Sequence, residues 1–128
     1  EGREATVEAA VRGEYADISF LDVRMEAGAF WQVSTRNDET VFAYLAEGSF
    51  SVEGESVPTR HAALFTRGDS LEGSAGKEGA RFVLVSGKPL HEPVAWGGPI
   101  VMNTEEELRQ AFQELEDGTF LRHEPQGM

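Results

Sequence analysis

The 128-residue chain contains no cysteine and little positive charge, with 11 basic residues against 23 acidic ones. Because cysteine is absent, the sequence excludes a disulfide framework, a cysteine-ligated zinc site and a thiol nucleophile. The net charge of −12 argues against a nucleic-acid partner, and the lack of a polybasic segment argues against a membrane surface. No apolar run approaches the roughly 20 residues of a transmembrane helix, and the N-terminus does not resemble a signal peptide. These absences predict a cytoplasmic protein.

Sequence motifs for catalysis are missing as well. His61, His91 and His123 lie far apart in sequence, so no two of them form the short ligand pair that is common at metal sites. There is no Gly-x-Ser-x-Gly nucleophile elbow and no P-loop. We therefore interpret the three histidines as surface or loop residues, and we predict a turn at Gly73-Ser74-Ala75-Gly76.

Glycine and phenylalanine are well represented, with 14 and 8 residues, which suits short strands and tight turns around an aromatic core. Apolar segments predict strands within residues 7–11, 18–25, 41–46, 49–52, 63–65 and 81–86. The segment 18–25 is apolar on both faces, which predicts packing on two sides. Turns are predicted at Glu47-Gly48 and at Glu53-Gly54-Glu55. This spacing predicts a mainly β fold, an antiparallel barrel or sandwich, over residues 7–87.

The C-terminal third follows a different pattern. Residues 88–103 are rich in proline and glycine and predict a loop without strand pairing. A helix is predicted over residues 104–117, because Thr104 and Glu107 have capping-box spacing and Asp117-Gly118 is a stop signal. One apolar stripe on this helix is formed by Leu108, Ala111, Phe112 and Leu115. Barrel, loop and helix are predicted to form a single domain of residues 1–128.

The strand region resembles the small double-stranded β-helix barrels called cupins. Their first motif runs from a glycine through two histidines and a glutamate to a second glycine, which matches Gly28 and Gly48 at its ends. Their second motif, Pro-x-Gly followed by a histidine, aligns with Thr66-Arg67-Gly68 and Leu71. The four positions that carry metal ligands in that family are occupied here by Ser34, Arg36, Val41 and Leu71. The resemblance therefore implies a cupin barrel that keeps the glycines and lacks the metal ligands.

The C-terminal part resembles one cupin family in particular. The run Gly98-Pro99-Ile100-Val101-Met102-Asn103-Thr104, which leads into a Glu-rich helix, is similar to the ending of pirin-family proteins. Similar segments are Phe20-Leu21-Asp22-Val23, Gly79-Ala80-Arg81-Phe82, Gly87–Val94 and Asp117–Phe120, so the resemblance spans about Val7 to Phe120. Pirins contain two cupin barrels, and the family's iron and quercetin dioxygenase-like activity belong to the N-terminal one. This chain resembles the second barrel, and both a single-domain protein and a piece of a bicupin fit that resemblance.

The resemblance implies a non-catalytic domain without metal or cofactor, which acts as a structural or interaction domain. Its expected partner is a second copy, in a homodimer, or a pirin N-terminal-type cupin domain. Two alternatives stay open. One is a metal-dependent enzyme of the quercetin dioxygenase type, with an atypical site such as His61 with Glu39. The other is a cupin that binds a small molecule.

Eight residues are candidates for lining a pocket, namely Trp31, Ser34, Arg36, Val41, Phe42, Tyr44, Leu71 and Phe82. Three of them, at former ligand positions, would line a partly apolar pocket: Ser34, Val41 and Leu71. Arg36 would lie near its mouth, where a guanidinium can pair with a carboxylate or phosphate. The four aromatic residues would hold an apolar ligand at the barrel mouth or, alternatively, would belong to the core.

Overall fold

The computed structural model of the protein describes residues 15–122. The strand predicted at residues 7–11 and His123 lie outside the described residues. Within them, the elements are β1 (Ile18–Met25), β2 (Phe30–Ser34), β3 (Thr40–Val52), β4 (Glu55–Pro58), β5 (Ala62–Leu64), β6 (Ser70–Gly87), β7 (Ala95–Gly97), β8 (Ile100–Met102) and α1 (Glu105–Glu116). They divide into two compact units, the first ending at Pro89 and the second beginning at Leu90.

Two long antiparallel strands, β3 and β6, form the centre of the sheet in the first unit. Along one stretch of this pair, β1 is hydrogen-bonded to β6 and β5 to β3, which gives a first layer in the order β1, β6, β3, β5. Along the other stretch, β2 is hydrogen-bonded to β6 and β4 to β3, which gives a second layer. Because the pairings are antiparallel, side chains of directly opposed residues lie on the same face.

A bulged segment lies where β3 passes from the first layer to the second. The β3–β6 register shifts between Leu45 and Glu47 and again between Gly48 and Phe50. Gly48 has a φ of +69°, and a Cβ added there would collide with the carbonyl oxygen of Gly79. The turn predicted at Glu47-Gly48 is wrong, because the bulge accommodates the positive φ inside a continuous strand.

Glycine has different roles in two other segments, a turn at Gly54 and a strand at Gly73. The turn predicted after β3 is confirmed, since Glu53 and Gly54 have φ values of 50° and 85°, as in a type I′ hairpin. The turn predicted at residues 73–76 is wrong, because these residues belong to β6. A Cβ on Gly73 would collide with the ring of Phe50. Glycine at position 73 therefore makes room for the core and does not reverse the chain.

The inner faces of the two layers pack against each other and form the core of the first unit. Phe50, Phe82 and Leu45 are its largest fully buried side chains. The ring centroids of Phe50 and Phe82 are 4.8 Å apart, and Trp31 meets Phe82 edge-on at 5.6 Å. Such aromatic pairs contribute about 0.5–1.5 kcal/mol each beyond the area that they bury. The predicted aromatic core and antiparallel sandwich are confirmed.

Within residues 15–122, strand β1 is covered on one face only. Met25 is buried in the core and Val23 packs against it. On the opposite face, the side chains of Ile18 and Phe20 are 62% and 66% exposed. The prediction that this strand packs on two sides is therefore wrong for the chain as described, since its outer apolar side chains contact solvent.

The second unit combines a short β-ribbon with a helix. Strands β7 and β8 pair antiparallel across Gly98-Pro99. The prediction of an unpaired loop over residues 88–103 is wrong here, because three-residue strands are too short to show an alternating pattern. Ala95 and Ile100 of the ribbon form a small core with Leu108 and Ala111 of α1.

Helix α1 has the ends that the sequence predicts. Thr104 is the N-cap, and its hydroxyl accepts a hydrogen bond from the Glu107 N–H at 3.2 Å. The Glu107 carboxylate accepts a hydrogen bond from the Thr104 N–H at 2.9 Å, which completes the capping box. The C-cap is Asp117. Among the residues described, no helix is both long enough and apolar enough to span a membrane.

Candidate functional site

An open cavity of about 480 Å³ lies in the first unit. Its apolar lining includes Val41, Val57, Phe65 and Leu71. Val41 and Leu71 are each 6% exposed and belong to the core, and Val57 and Phe65 pack against that core. The cavity floor is therefore a continuation of the core, and the volume is within the range of about 300–1,000 Å³ that small-molecule sites occupy.

Charged side chains complete the lining. Arg67 lies there with the three carboxylates of Glu53, Glu55 and Glu72, so the formal charge of the lining is negative. Arg67 belongs to the loop between β5 and β6, which Thr35 ties down by donating its hydroxyl to the Gly68 carbonyl at 2.8 Å. The sequence prediction gave Arg67 no role. Its position beside the glycine of the second cupin motif is the signal that could have identified it.

The four former ligand positions do not come together in the structure. Val41 and Leu71 line the cavity. Ser34 is exposed, since Val33, its neighbour on β2, packs on the core and successive side chains of a strand point to opposite faces. Arg36 is also exposed, and its Nε lies 3.4 Å from a carboxylate oxygen of Asp38. The structure therefore brings together two of these four candidates, and both are hydrocarbon side chains.

The aromatic candidates separate into two pairs. Trp31 and Phe82 contact each other inside the sandwich. Phe42 and Tyr44 flank the buried Ala43 on β3 and are 39% and 43% exposed, because they lie on the outer face of the first layer. The sheet thus separates these four aromatic side chains, and they do not form one pocket.

His61 and Glu39, the candidates for an atypical metal site, have different neighbours. His61 is exposed, and its Nδ1 lies 3.0 Å from the carbonyl oxygen of Thr59. The carboxylate of Glu39 lies 3.6 Å from Nε of Arg36. Among residues 15–122, no group of three or more His, Cys, Asp or Glu side chains is arranged to hold a metal ion.

Exposed ion pairs lie at the ends of the first layer. The guanidinium of Arg81 is 3.1 Å from Asp22, and this hydrogen bond lowers the pKa of Asp22 and raises the pKa of Arg81. The ammonium of Lys88 is 2.7 Å from Asp38, and its hydrogen bond lowers the pKa of Asp38. Each carboxylate is thus held ionised by a cation on the same unit. We interpret both pairs as parts of the fold and not as parts of a catalytic site.

The run that ends in Met102-Asn103-Thr104 also has a local structural role. The Asn103 side chain donates hydrogen bonds to the Glu92 carboxylate at 3.0 Å and to the Pro93 carbonyl at 2.9 Å. Thr104 caps the helix. These residues therefore fix the segment before β7 and the start of α1 within the second unit.

A two-layer antiparallel sandwich built on two shared long strands is the architecture expected of a cupin. A crystal structure of quercetin 2,3-dioxygenase from Acinetobacter baumannii matches 93% of this chain with a TM-score of 0.81 and 25% sequence identity. The match covers 41% of that chain. The cupin fold predicted from the sequence is thereby confirmed.

The family follows from the sequence comparison. Residues 20–121 match the family model described as the pirin C-terminal cupin domain. The chain belongs to the pirin family. It is 33% identical over 110 residues to a pirin-like protein of Caulobacter vibrioides and 32% identical over 104 residues to Pirin-1 of Arabidopsis thaliana. It covers 40% and 36% of those two proteins, and thus spans about two fifths of the length of the curated relatives it matches.

Proposed function

We propose that this chain is a metal-free, non-catalytic cupin domain of the pirin family, which acts as a structural and interaction domain. The observation that carries this proposal is the pair of buried hydrocarbon side chains, Val41 and Leu71, at two former metal-ligand positions. Neither side chain has a donor atom. A third position, Ser34, is directed away from the core.

The number and type of ligands decide whether a site holds a transition metal. An iron or other transition-metal ion in a catalytic site takes about three protein ligands, mostly imidazole and carboxylate. The cavity lining supplies Glu53, Glu55 and Glu72 and no histidine. These residues do not fit the iron of a cupin dioxygenase.

The competing function is a metal-dependent dioxygenase, since the Acinetobacter baumannii match is a quercetin 2,3-dioxygenase. Metal analysis of the protein purified from iron-supplemented cells tests the proposal, with the Acinetobacter enzyme prepared in parallel. We expect the metal to be substoichiometric and quercetin turnover to be absent after addition of ferrous iron. One equivalent of tightly held iron, together with turnover that His61→Ala abolishes, would contradict the proposal and establish the enzyme.

A second candidate function is binding of a small molecule, and the cavity of about 480 Å³ favours it. Its apolar floor and the guanidinium of Arg67 suit a molecule with an apolar body and one anionic group. A thermal-shift screen of aromatic carboxylates tests this, because a ligand of the folded state raises the melting temperature. A shift that is lost in Arg67→Met supports binding at this cavity, whereas an equal shift in both proteins places the ligand elsewhere.

A further inference from the structure

The outer face of the first layer is apolar across four strands. Phe20 on β1 opposes Val85 on β6, Val85 opposes Phe42 on β3, and Phe42 opposes Leu64 on β5. Opposed residues of antiparallel strands share a face, so these four side chains form one row across the layer. Ile18, Val83 and Tyr44 lie on the same face in the adjacent rows. We name these seven residues the outer patch.

The exposed apolar area of the outer patch is large for the surface of one chain. The exposed fractions are 62% for Ile18, 66% for Phe20, 39% for Phe42, 43% for Tyr44 and 74% for Leu64. With side-chain areas of about 150–250 Å² for aromatic residues and slightly less for aliphatic ones, these fractions amount to about 550 Å². That value is at the upper end of the roughly 300–600 Å² found for the largest patch of a monomer, and such patches are often functional.

The four charged residues at one end of the outer patch are balanced in sign. Asp22 and Glu47 lie within 4 Å of Arg81, and Arg24 is opposite Arg81 in the register of β1 and β6. These two acids and two bases cancel formally, whereas the whole chain carries −12. A second acidic copy would therefore meet less local repulsion at this end of the outer patch than at an acidic part of the surface.

We infer that the outer patch is the interface through which two copies of this chain pair, face to face about a two-fold axis. A standard stable interface buries about 800 Å² on each partner, of which roughly 55–65% is apolar. The outer patch supplies that apolar share. The acidic and basic residues at its border would supply the polar rim, and a two-fold axis would bring the same patch of each copy together. This inference rests on the geometry of the sheet and holds whether or not the cavity binds metal or ligand.

Introducing a negative charge on the outer patch, with a matched change elsewhere, tests the inference. Phe20→Glu and Leu64→Glu place carboxylates on the outer patch. Phe30→Glu is the control, because Phe30 is 64% exposed on β2, a strand of the second layer. The masses of the wild type and the three variants are measured by sedimentation velocity over a range of concentrations, and circular dichroism verifies that each is folded.

We expect the wild type and Phe30→Glu to sediment as dimers, with dissociation constants that agree within a few-fold. In Phe20→Glu and Leu64→Glu, two carboxylates would be buried in one interface, and the dissociation constant should rise by about 100-fold or more. If either glutamate variant fails to fold, Phe20→Ala provides the same test through loss of contact area. A wild type that is monomeric at every concentration, or patch variants that dimerise like the control, would overturn the inference. A monomer would instead leave this face to a partner such as a pirin N-terminal-type cupin domain.

Discussion

The two faces of the first layer are built on the same strands but have different surroundings. On β3, the side chains of Ala43 and Leu45 are fully buried, whereas Phe42 and Tyr44, which alternate with them, are about two fifths exposed. The inner face meets the second layer of the same chain. The outer face is equally apolar in character and meets no second layer among the described residues. A strand that is apolar on both faces is typical of packing on two sides, and residues 15–122 cover the inner face alone.

The largest expected effect is a difference in the free energy of unfolding between a variant of the inner face and a variant of the outer face. Phe82→Ala removes a fully buried ring that contacts Phe50 and Trp31, and should reduce the free energy of unfolding by about 3–5 kcal/mol. Phe20→Ala removes a ring of the same size from the outer face, and should cost less than about 1 kcal/mol in the monomer. Denaturant titration at low protein concentration measures both. Equal losses would contradict the distinction between a core face and an exposed face.

An intermediate effect is expected where β3 passes between the layers. Gly48→Ala forces a side chain into a residue with φ +69° and against the Gly79 carbonyl, so it combines backbone strain of about 1–2 kcal/mol with a steric clash. Gly54→Ala is the control, since φ is +85° there but no atom lies within 4 Å of the added Cβ. We expect the Gly48 variant to lower the denaturation midpoint clearly more than the Gly54 variant. Equal midpoints would show that the bulge does not require close contact between β3 and β6.

The smallest expected effect concerns the charges that border the outer patch. The hydrogen bond from Arg81 lowers the pKa of Asp22 in the folded state, so the pair contributes stability above the unfolded pKa of about 3.9. That contribution is lost as the pH falls through the lower folded pKa. Because both groups are exposed, the effect is small. Melting temperatures measured from pH 5 downwards should fall less steeply below about pH 4 in Asp22→Asn than in the wild type.

A double-mutant cycle isolates this pair. Arg81→Met removes the hydrogen-bond partner of Asp22 and also the longer contact of Arg81 with Glu47 at 3.8 Å, so it should flatten the acid dependence at least as much as Asp22→Asn. Combining the two changes should flatten it no further than Arg81→Met alone. An additive loss would show that the two residues act independently at the border of the outer patch.

Much of the fold could be predicted because its local signals agree with its packing. The capping box at Thr104 and Glu107 and the hairpin turn at Glu53 and Gly54 depend on neighbouring residues alone. Local sequence patterns do not distinguish a glycine in a chain-reversing turn from a glycine that lets a distant residue pack closely against the backbone. Sequence patterns therefore do not predict the bulge at Gly48 or the strand through Gly73. At Gly48 the absence of a side chain leaves room for the Gly79 carbonyl, and at Gly73 it leaves room for the ring of Phe50, both far along the chain.

The candidate site could be predicted only in part, because its geometry depends on which face each side chain occupies. Val41 and Leu71 were expected to line a pocket and do line the cavity. The outward position of Ser34 follows from the inward packing of Val33, which counting from a glycine motif does not reveal. Phe42 could have been placed outside from its alternation with Ala43. Its exposure of 39% also depends on whether another element covers this face, which the sequence pattern alone does not show.

The most direct test of the distinction between the two faces measures the solvent access of individual phenylalanine rings. The chain is labelled with ¹³C in phenylalanine, and relaxation by a soluble paramagnetic probe is recorded at low and high protein concentration. We expect Phe50 and Phe82 to be protected at both concentrations, Phe30 to be accessible at both, and Phe20 and Phe42 to become protected as the concentration rises. Phe20 and Phe42 rings that stay as accessible as Phe30 at high concentration would contradict the pairing of two copies through the outer patch.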